Sequence, residues 1–345
     1  MGDKFQTSYK ADMALFQTLW VKVWLGIFAA SLIVCPYFLS QYQLGILNEI
    51  SIAVIGALGL NLLIGYTGQI SLGHGAFVAI GAYTTALTSA YWGLPFVVTL
   101  PLSGVMAALL GMIVGVPALR LKGLYLALGT LAFGFIVEYV LFHWDLIQGD
   151  MGMAVKRISI GGYEIRTERD HFYCLTAFAV LATLCSKNII RSKIGRSFIA
   201  IRDRDIAAEA MGIPLAKYKV MAFGVSSFYA GIAGGLLAHY QKWIVPGSFD
   251  LSLSVTYIAM IVLGGLGTIL GSVLGAVLIT SIPHGIVYTT DLVKDTYPVL
   301  GSLIVDLKVG IFGLIVVLAL LFEPQGLAGI YRRVKLYWKT WPFRY

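Results

Sequence analysis

Asn61-Leu62-Leu63-Ile64-Gly65-Tyr66-Thr67-Gly68-Gln69-Ile70-Ser71-Leu72-Gly73-His74-Gly75-Ala76-Phe77 sets a patch of glycines and hydrogen-bonding side chains between two apolar runs. Each run is long enough to cross the hydrocarbon core, which takes ~20 residues as helix. Lipid cannot satisfy a freed backbone N–H or C=O, so such a break survives only where protein buries it or where it lines a polar cavity. Broken helices build substrate sites in many transporters. Gly65, Gly68 and Gly73 mark the break, and Thr67, Gln69 and Ser71 are neutral groups suited to a neutral or zwitterionic solute. An ordinary tight turn between closely packed helices is the other role the same residues allow.

Outward from this stretch the composition is that of a bilayer protein. The chain has 345 residues, of which 58% are hydrophobic and only 12% charged. A soluble domain carries roughly 25% charged residues, so this chain could not cover its own surface in water. The mean hydropathy of +0.83 agrees. Spanning segments are expected near 22–39, 45–65, 74–92, 95–116, 124–142, 171–189, 219–240, 252–267, 268–289 and 299–322. The expected fold class is an all-α integral membrane protein of about ten transmembrane helices, some of them broken at glycines. The 39 glycines also suit close helix–helix approach. Cys35, Cys174 and Cys185 fit neither a metal site nor a disulfide framework and are expected as small buried apolar residues. The first apolar run begins near Trp20 without an A-x-A-like exit, so no cleavable signal is expected.

Lysine and arginine set the orientation. They concentrate in the loop 186–219, in the tail, and at Arg120 and Lys122. An inside N-terminus and ten spans place all three groups, and the C-terminus, in the cytoplasm. Residues 1–22 read as an interfacial helix, with Phe5, Tyr9, Met13, Phe16 and Trp20 at near-helical spacing. Residues 23–330 are expected to form the transmembrane domain, with an external loop at 143–170 and a cytoplasmic loop at 190–218. The tail 331–345 is basic and aromatic, with Tyr331, Tyr337, Trp338 and Trp341 resembling an interfacial belt. In the external loop, Ile158, Ile160, Tyr163 and Ile165 around Gly161-Gly162 suggest a small hairpin.

A second glycine-rich break is Gly264-Gly265-Leu266-Gly267-Thr268, followed by Gly271 and Gly275. The spacing of four from Gly267 onward is helix-contact spacing, so packing is its expected role. Ionisable residues are nearly absent at mid-depth. Glu49 and Glu138 fall near the outer ends of their helices, and Asp306 and Lys308 lie in the first turns of the last span. A proton- or ion-driven carrier keeps such groups in the membrane, which counts against a stand-alone secondary carrier or channel. His74 and His239 are expected as satisfied structural histidines. Gly68 to Gly73 has phosphate-loop spacing, but His74 stands where lysine is required. No converging catalytic set supports an intramembrane enzyme, and no basic aromatic-rich soluble segment supports nucleic acid binding. Ile201 to Gly212 reads as a short helix with an apolar face of Ile201, Ala208 and Met211, and with Pro214 beyond its end. From the residues alone it is either a docking surface or a solvated positive loop.

These segments resemble a known family. Gly65 to Gly73, Leu119 to Ala127, Ile194-Gly195-Arg196 through Gly212, Val262 to Thr268, and Leu321 to Leu327 occur in order. Together they are similar to the permease subunits of branched-chain amino acid ABC importers of the LivM type, over roughly residues 45–330. The resemblance implies a type II ABC importer-like permease in a bacterial inner membrane. It implies a heterodimer with a paralogous permease, two cytoplasmic ATPase subunits and an extracytoplasmic solute-binding protein. ATP and magnesium would sit in those ATPase subunits, with no cofactor, metal or catalytic residue in this chain. Arg202, Asp203, Asp205, Ala208, Glu209, Met211 and Gly212 would form the coupling helix to an ATPase subunit. Thr67, Gln69, Ser71, Tyr125, Thr130 and Thr268 would line the substrate path, with breaks at Gly65, Gly68, Gly73, Gly264, Gly265 and Gly267. One departure is in the external loop, where the family shows Thr-Gly-Gly-x-x-Gly after a tryptophan. Here Trp144 is followed by Ile147-Gln148-Gly149-Asp150-Met151-Gly152. Related systems carry urea, short amides and aromatic acids, which leaves the solute open.

Overall fold

The computed structural model describes residues 19–147, 151–160, 162–294 and 326–340, with single positions 310, 313, 314, 317, 318 and 321. Helices follow the apolar runs: α1 Leu19–Val34, α2 Gln41–Thr67, α3 His74–Ala90, α4 Phe96–Ala118, α5 Leu124–His143 and α6 Glu168–Arg191. After these come α7 Lys193–Asp203, α8 Asp205–Ala210, α9 Leu215–Gln241, α10 Leu251–Gly264, α11 Ile269–Lys294 and α12 Gly326–Thr340. Seven helices among the described residues are long and apolar enough to cross a membrane. The other expected spans differ for stated reasons. Helix α3 has 17 residues and α1 has 16, and the segment 299–322 lies largely outside the described residues. So does the interfacial stretch 1–18, as do Asp306, Lys308 and Trp341.

Local chemistry explains the helix ends. At the start of α2 the Ser40 hydroxyl accepts from Gln43 N, and the Gln43 side chain accepts from Ser40 N, at 3.3 and 3.1 Å. That reciprocal cap satisfies two of the orphan donors at a helix start. At its end Gly68 takes φ +71°, and Gly68 N and Gln69 N close on Ile64 O and Leu63 O. Thr167 caps α6 by accepting from Asp170 N, with Glu168 and Asp170 in the first turn and Arg191 in the last.

Helices α2 and α9, each 27 residues, form the buried centre. They are apolar on every face, as fully surrounded helices are. Helix α9 packs on α2, α3 and α4, and α2 packs also on α6, α10 and α11. The closest contacts run through glycine. A methyl added at Gly81 would fall on the backbone of Gly231, and one at Gly234 would fall on Val78 O. Between α10 and α11, Gly264 faces Gly271 and Gly275, and Gly275 faces Met260 O. The packing expected of Gly271 and Gly275 is therefore present. Gly267 differs: it lies in the turn at φ +72°, outside either helix.

The segment between α5 and α6 is tied down. Ser159–Ile160 (β2) pairs antiparallel with Tyr163–Glu164 (β3) around Gly161-Gly162, which is the expected hairpin. Met153–Ala154 (β1) pairs with Trp243–Ile244 (β4) just after α9. His239 bridges the same region, with Nδ1 2.9 Å from Lys156 O and Nε2 3.1 Å from Thr99 Oγ1. Ile147 and Ile158 are fully buried beneath it. The cysteines depart from expectation. Cys35 and Cys174 are half-buried and Cys185 is exposed, because their helices turn those faces outward.

Backbone contact at glycine predicts a selective stability effect. Gly234→Ala should lower stability in detergent by about 1–3 kcal/mol, the usual overpacking cost. Gly285→Ala, where nothing lies within 4 Å, should be neutral or raise it by up to about 1 kcal/mol through helix propensity. Thermal unfolding of the two variants checks this, and equal shifts would contradict it.

Candidate functional site

The break after α2 is a reversal in depth. Helix α2 ends at Thr67, and α3 starts at His74. His74 Nε2 lies 3.0 Å from Gly56 O. Gly56 is eleven residues before Thr67, so Gly68–Gly73 climbs back ~16 Å along α2 at 1.5 Å per residue. This stretch has lost its helical hydrogen bonds in an apolar interior, and side chains replace them. Thr130 Oγ1 accepts from Leu72 N at 2.9 Å, and Ser254 Oγ accepts from Gly75 N at 2.8 Å. His74 is edge-on to Tyr257 and hydrogen-bonded, so it is the satisfied structural histidine expected of it. His239 is satisfied too.

Three of the expected path residues come together here. Gln69 is 5% exposed and Ser71 1%. Gln69 Nε2 donates to Thr67 Oγ1 at 3.1 Å and lies 3.5 Å from Lys219 O. Thr67 in turn donates to Leu63 O. Gln69 Oε1 and Ser71 Oγ are buried without a partner among the described residues. A buried polar atom left unsatisfied costs about 1–3 kcal/mol, and these are two of several such atoms among the described residues. Thr130 joins the group by bracing Leu72. Tyr125 does not: it is 73% exposed on α5. Thr268 caps α11, with Oγ1 accepting from Gly271 N at 3.1 Å and donating to Gly265 O at 2.8 Å.

The two glycine breaks meet. A methyl at Gly65 would strike Gly267 N. Asn61 braces the junction: its Nδ2 donates to Thr268 O and Ser272 Oγ at 2.8 and 2.7 Å, and its Oδ1 accepts from Gly267 N at 2.9 Å. Sequence reading quoted Asn61 but gave it no role. The available signal was an amide set in the apolar inner half of the run, residues 52–65.

The loop expected as one helix from Ile201 to Gly212 is two. Helix α7 ends at Asp203, Arg204 is extended at φ −158°, and α8 follows. Asp205 is the reason for the corner. Its carboxylate pairs with Lys122 at 2.8 Å and Lys219 at 3.8 Å, which holds its pKa below the ordinary value, chiefly through the Lys122 hydrogen bond. Ile201 and Ala208 are buried, but Met211 is not on their face. It is 84% exposed and Ile206 is 77% exposed. Gly212 ends the segment at φ +79° in open space. A cavity of about 260 Å³ lies between this loop and the first break, lined among others by Thr67, Gln69, Lys122, Arg202, Asp205 and Lys219.

A further polar cluster went unforeseen. Asn48 Nδ2 donates to Glu168 Oε2 at 2.8 Å, and Tyr240 OH donates to the same oxygen at 3.1 Å. His171 lies beside Tyr240 with neither ring nitrogen partnered among the described residues.

Comparison with known proteins places this geometry. Residues 42–320 match the family model described as the branched-chain amino acid transport system / permease component. The high-affinity branched-chain amino acid transport system permease protein LivM of Escherichia coli K12 is 33% identical over 317 residues, covering 85% of this chain and 71% of LivM. LivM of Salmonella typhimurium is 32% identical over the same shares. The probable branched-chain amino acid transport permease protein LivH of Methanocaldococcus jannaschii is 26% identical, over 81% of this chain and 89% of its own. No solved structure matches. The chain is a multi-pass membrane protein that belongs to the branched-chain amino acid transport system permease component family.

Proposed function

We propose that this chain is one of two paralogous permease subunits of an ABC importer for branched-chain or related hydrophobic amino acids. Two cytoplasmic ATPase subunits supply the energy and an extracytoplasmic binding protein delivers the solute. The chain itself binds no nucleotide, cofactor or metal. The observation that carries this reading, beyond family membership, is the exposed apolar pair Ile206 and Met211 on a charged loop. Water does not favour two large apolar side chains held out on a short, pinned helix, whereas a protein groove does. Arg202, Asp203, Asp205, Ala208, Glu209, Met211 and Gly212 form the segment that seats in an ATPase subunit.

The type II arrangement with about ten spans adds α1, α3 and 299–322 to the seven long helices. Its orientation puts both termini and residues 190–218 in the cytoplasm of a bacterial inner membrane, and 143–170 outside. ATP closes the ATPase dimer, the loop helices move, and the cavity changes the side it faces. Thr67, Gln69 and Ser71 belong to the solute path, with Thr130 and Thr268 as its braces. The unpartnered Gln69 Oε1 and Ser71 Oγ support this, since a passing solute could satisfy them.

Three outcomes test the reading. Proteoliposomes holding this chain with its partner permease, ATPases and binding protein should import labelled leucine only when every component and ATP are present. Urea uptake instead would keep the machine and change its solute, and uptake by this chain alone would overturn the importer. Glu209→Arg should cut ATP-driven uptake by about tenfold or more, the cost of losing an interface anchor, with unchanged yield of folded chain, and Gly212→Trp should cut it likewise while straining the local turn at φ +79°. Full uptake would remove the docking role. Gln69→Leu should raise the KM for uptake while the complex still assembles. A purely packing residue tolerates an apolar replacement of similar shape, so unchanged kinetics would return the break to packing.

A further inference from the structure

We propose that Arg202 is the positioning residue through which the loop helices move both glycine breaks together, an inference that rests on the docking role of that loop. Arg202 lies in the last turn of α7, next to the extended corner at Arg204. Its Nη1 donates to Gly65 O at 2.6 Å. That carbonyl belongs to the last turn of α2, where the helix offers it no partner of its own. The same Nη1 occupies the space beside Gly267: a methyl there would lie 2.5 Å from it and 2.9 Å from Gly65 O. The Arg202 backbone also covers Gly68, 3.6 Å from where a methyl would stand. The guanidinium thus meets the end of α2 and the α10–α11 turn, while the backbone and inner side chain of the same residue lie against the start of the extended climb.

The surroundings make this contact a strut. Helix α8 is tied to α9 by the Asp205–Lys219 ion pair, to the start of α5 by Asp205–Lys122, and is packed inward through buried Ala208. Asn61 locks Gly267 and Thr268 to α2. A push on α8 reaches α7 through one corner residue, and from α7 the polar link into the breaks is Arg202. A guanidinium suits this because it is planar, always charged and carries several donors at fixed angles, which a lysine ammonium does not. Gly267 has to be glycine for a related reason, since its positive φ and the guanidinium leave no room for a side chain.

The test uses the complete importer in proteoliposomes with labelled leucine. Arg202→Gln is compared with the unsubstituted chain by the leucine imported for each ATP hydrolysed, so that a change in the hydrolysis rate alone does not alter the reading. It should lower the leucine imported per ATP by about tenfold, the scale of one charge-assisted hydrogen bond, and Arg202→Lys should recover part of that ratio. An unchanged ratio in Arg202→Gln overturns the strut and leaves docking standing, whereas full coupling in Glu209→Arg and Gly212→Trp counts against docking itself. A second measurement needs neither solute nor a substituted arginine. Spin labels at Asp203→Cys and Leu266→Cys, with Cys35, Cys174 and Cys185 replaced, report the distance from the loop to the α10–α11 turn. That distance should be the same without nucleotide and with ATP trapped. A change of about a helical turn, ~5 Å, overturns the proposal.

Discussion

A backbone group that leaves a helix inside an apolar layer must find a partner within the protein, and this molecule is arranged around that need. The chain abandons helical geometry at Gly68–Gly73 and again at Gly265–Thr268. At each place a polar side chain from a distant part of the sequence takes over the lost bonds. Thr130 and Ser254 serve the first break, Asn61 serves the second, and Arg202 serves the carbonyl between them. Thr130, Ser254 and Asn61 are buried and Arg202 reaches in from the exposed loop, and each bonds main chain. A non-helical stretch is made tolerable in lipid by supplying it with fixed partners.

The second organising fact is the distance between helices. Without a hydrophobic force to separate helix from lipid, association depends on close packing. Gly81, Gly231 and Gly234 bring α3 and α9 into backbone contact, and Gly264, Gly271 and Gly275 do the same for α10 and α11. Close approach also lets short side chains bridge elements, as Ser103 Oγ does to Gly231 O at 3.1 Å. The glycines and the hydroxyls are therefore one device. A larger residue at the crossing would remove both the contact and the hydrogen bond.

Much of this was legible because apolar length and glycine clustering are local properties. Helices α2, α4, α5, α6, α9, α10 and α11 begin and end within a few residues of the apolar runs. The Gly161-Gly162 hairpin followed from turn chemistry alone. What could not be read was which distant residue meets which. Nothing in the sequence pairs Asn61 with Gly267, or Arg202 with Gly65, because those contacts depend on how whole helices stack. The coupling segment shows the same limit. Its helical propensity was correct, yet the corner at Arg204 depends on Asp205 finding Lys122 and Lys219, and that corner turns Met211 outward. Tyr125 sat within a matching motif, but motif membership does not fix the face of a helix, and its side chain is exposed where Gln69 and Ser71 are buried.

The pairing of Met153–Ala154 with Trp243–Ile244 has a consequence for biosynthesis. The two strands are separated by about ninety residues, which a ribosome adding ~5–20 residues per second makes in roughly 5–20 s. Through that interval the connection after α5 has no strand to pair with, and the burial of Ile158 awaits the later helices. Asn61 waits longer still for Thr268. The first half of the chain therefore enters the bilayer with the Leu72–Thr130 and His74–Gly56 bonds available to it but Asn61 still without Gly267 and Thr268, and that junction is settled only when the second half arrives beside it.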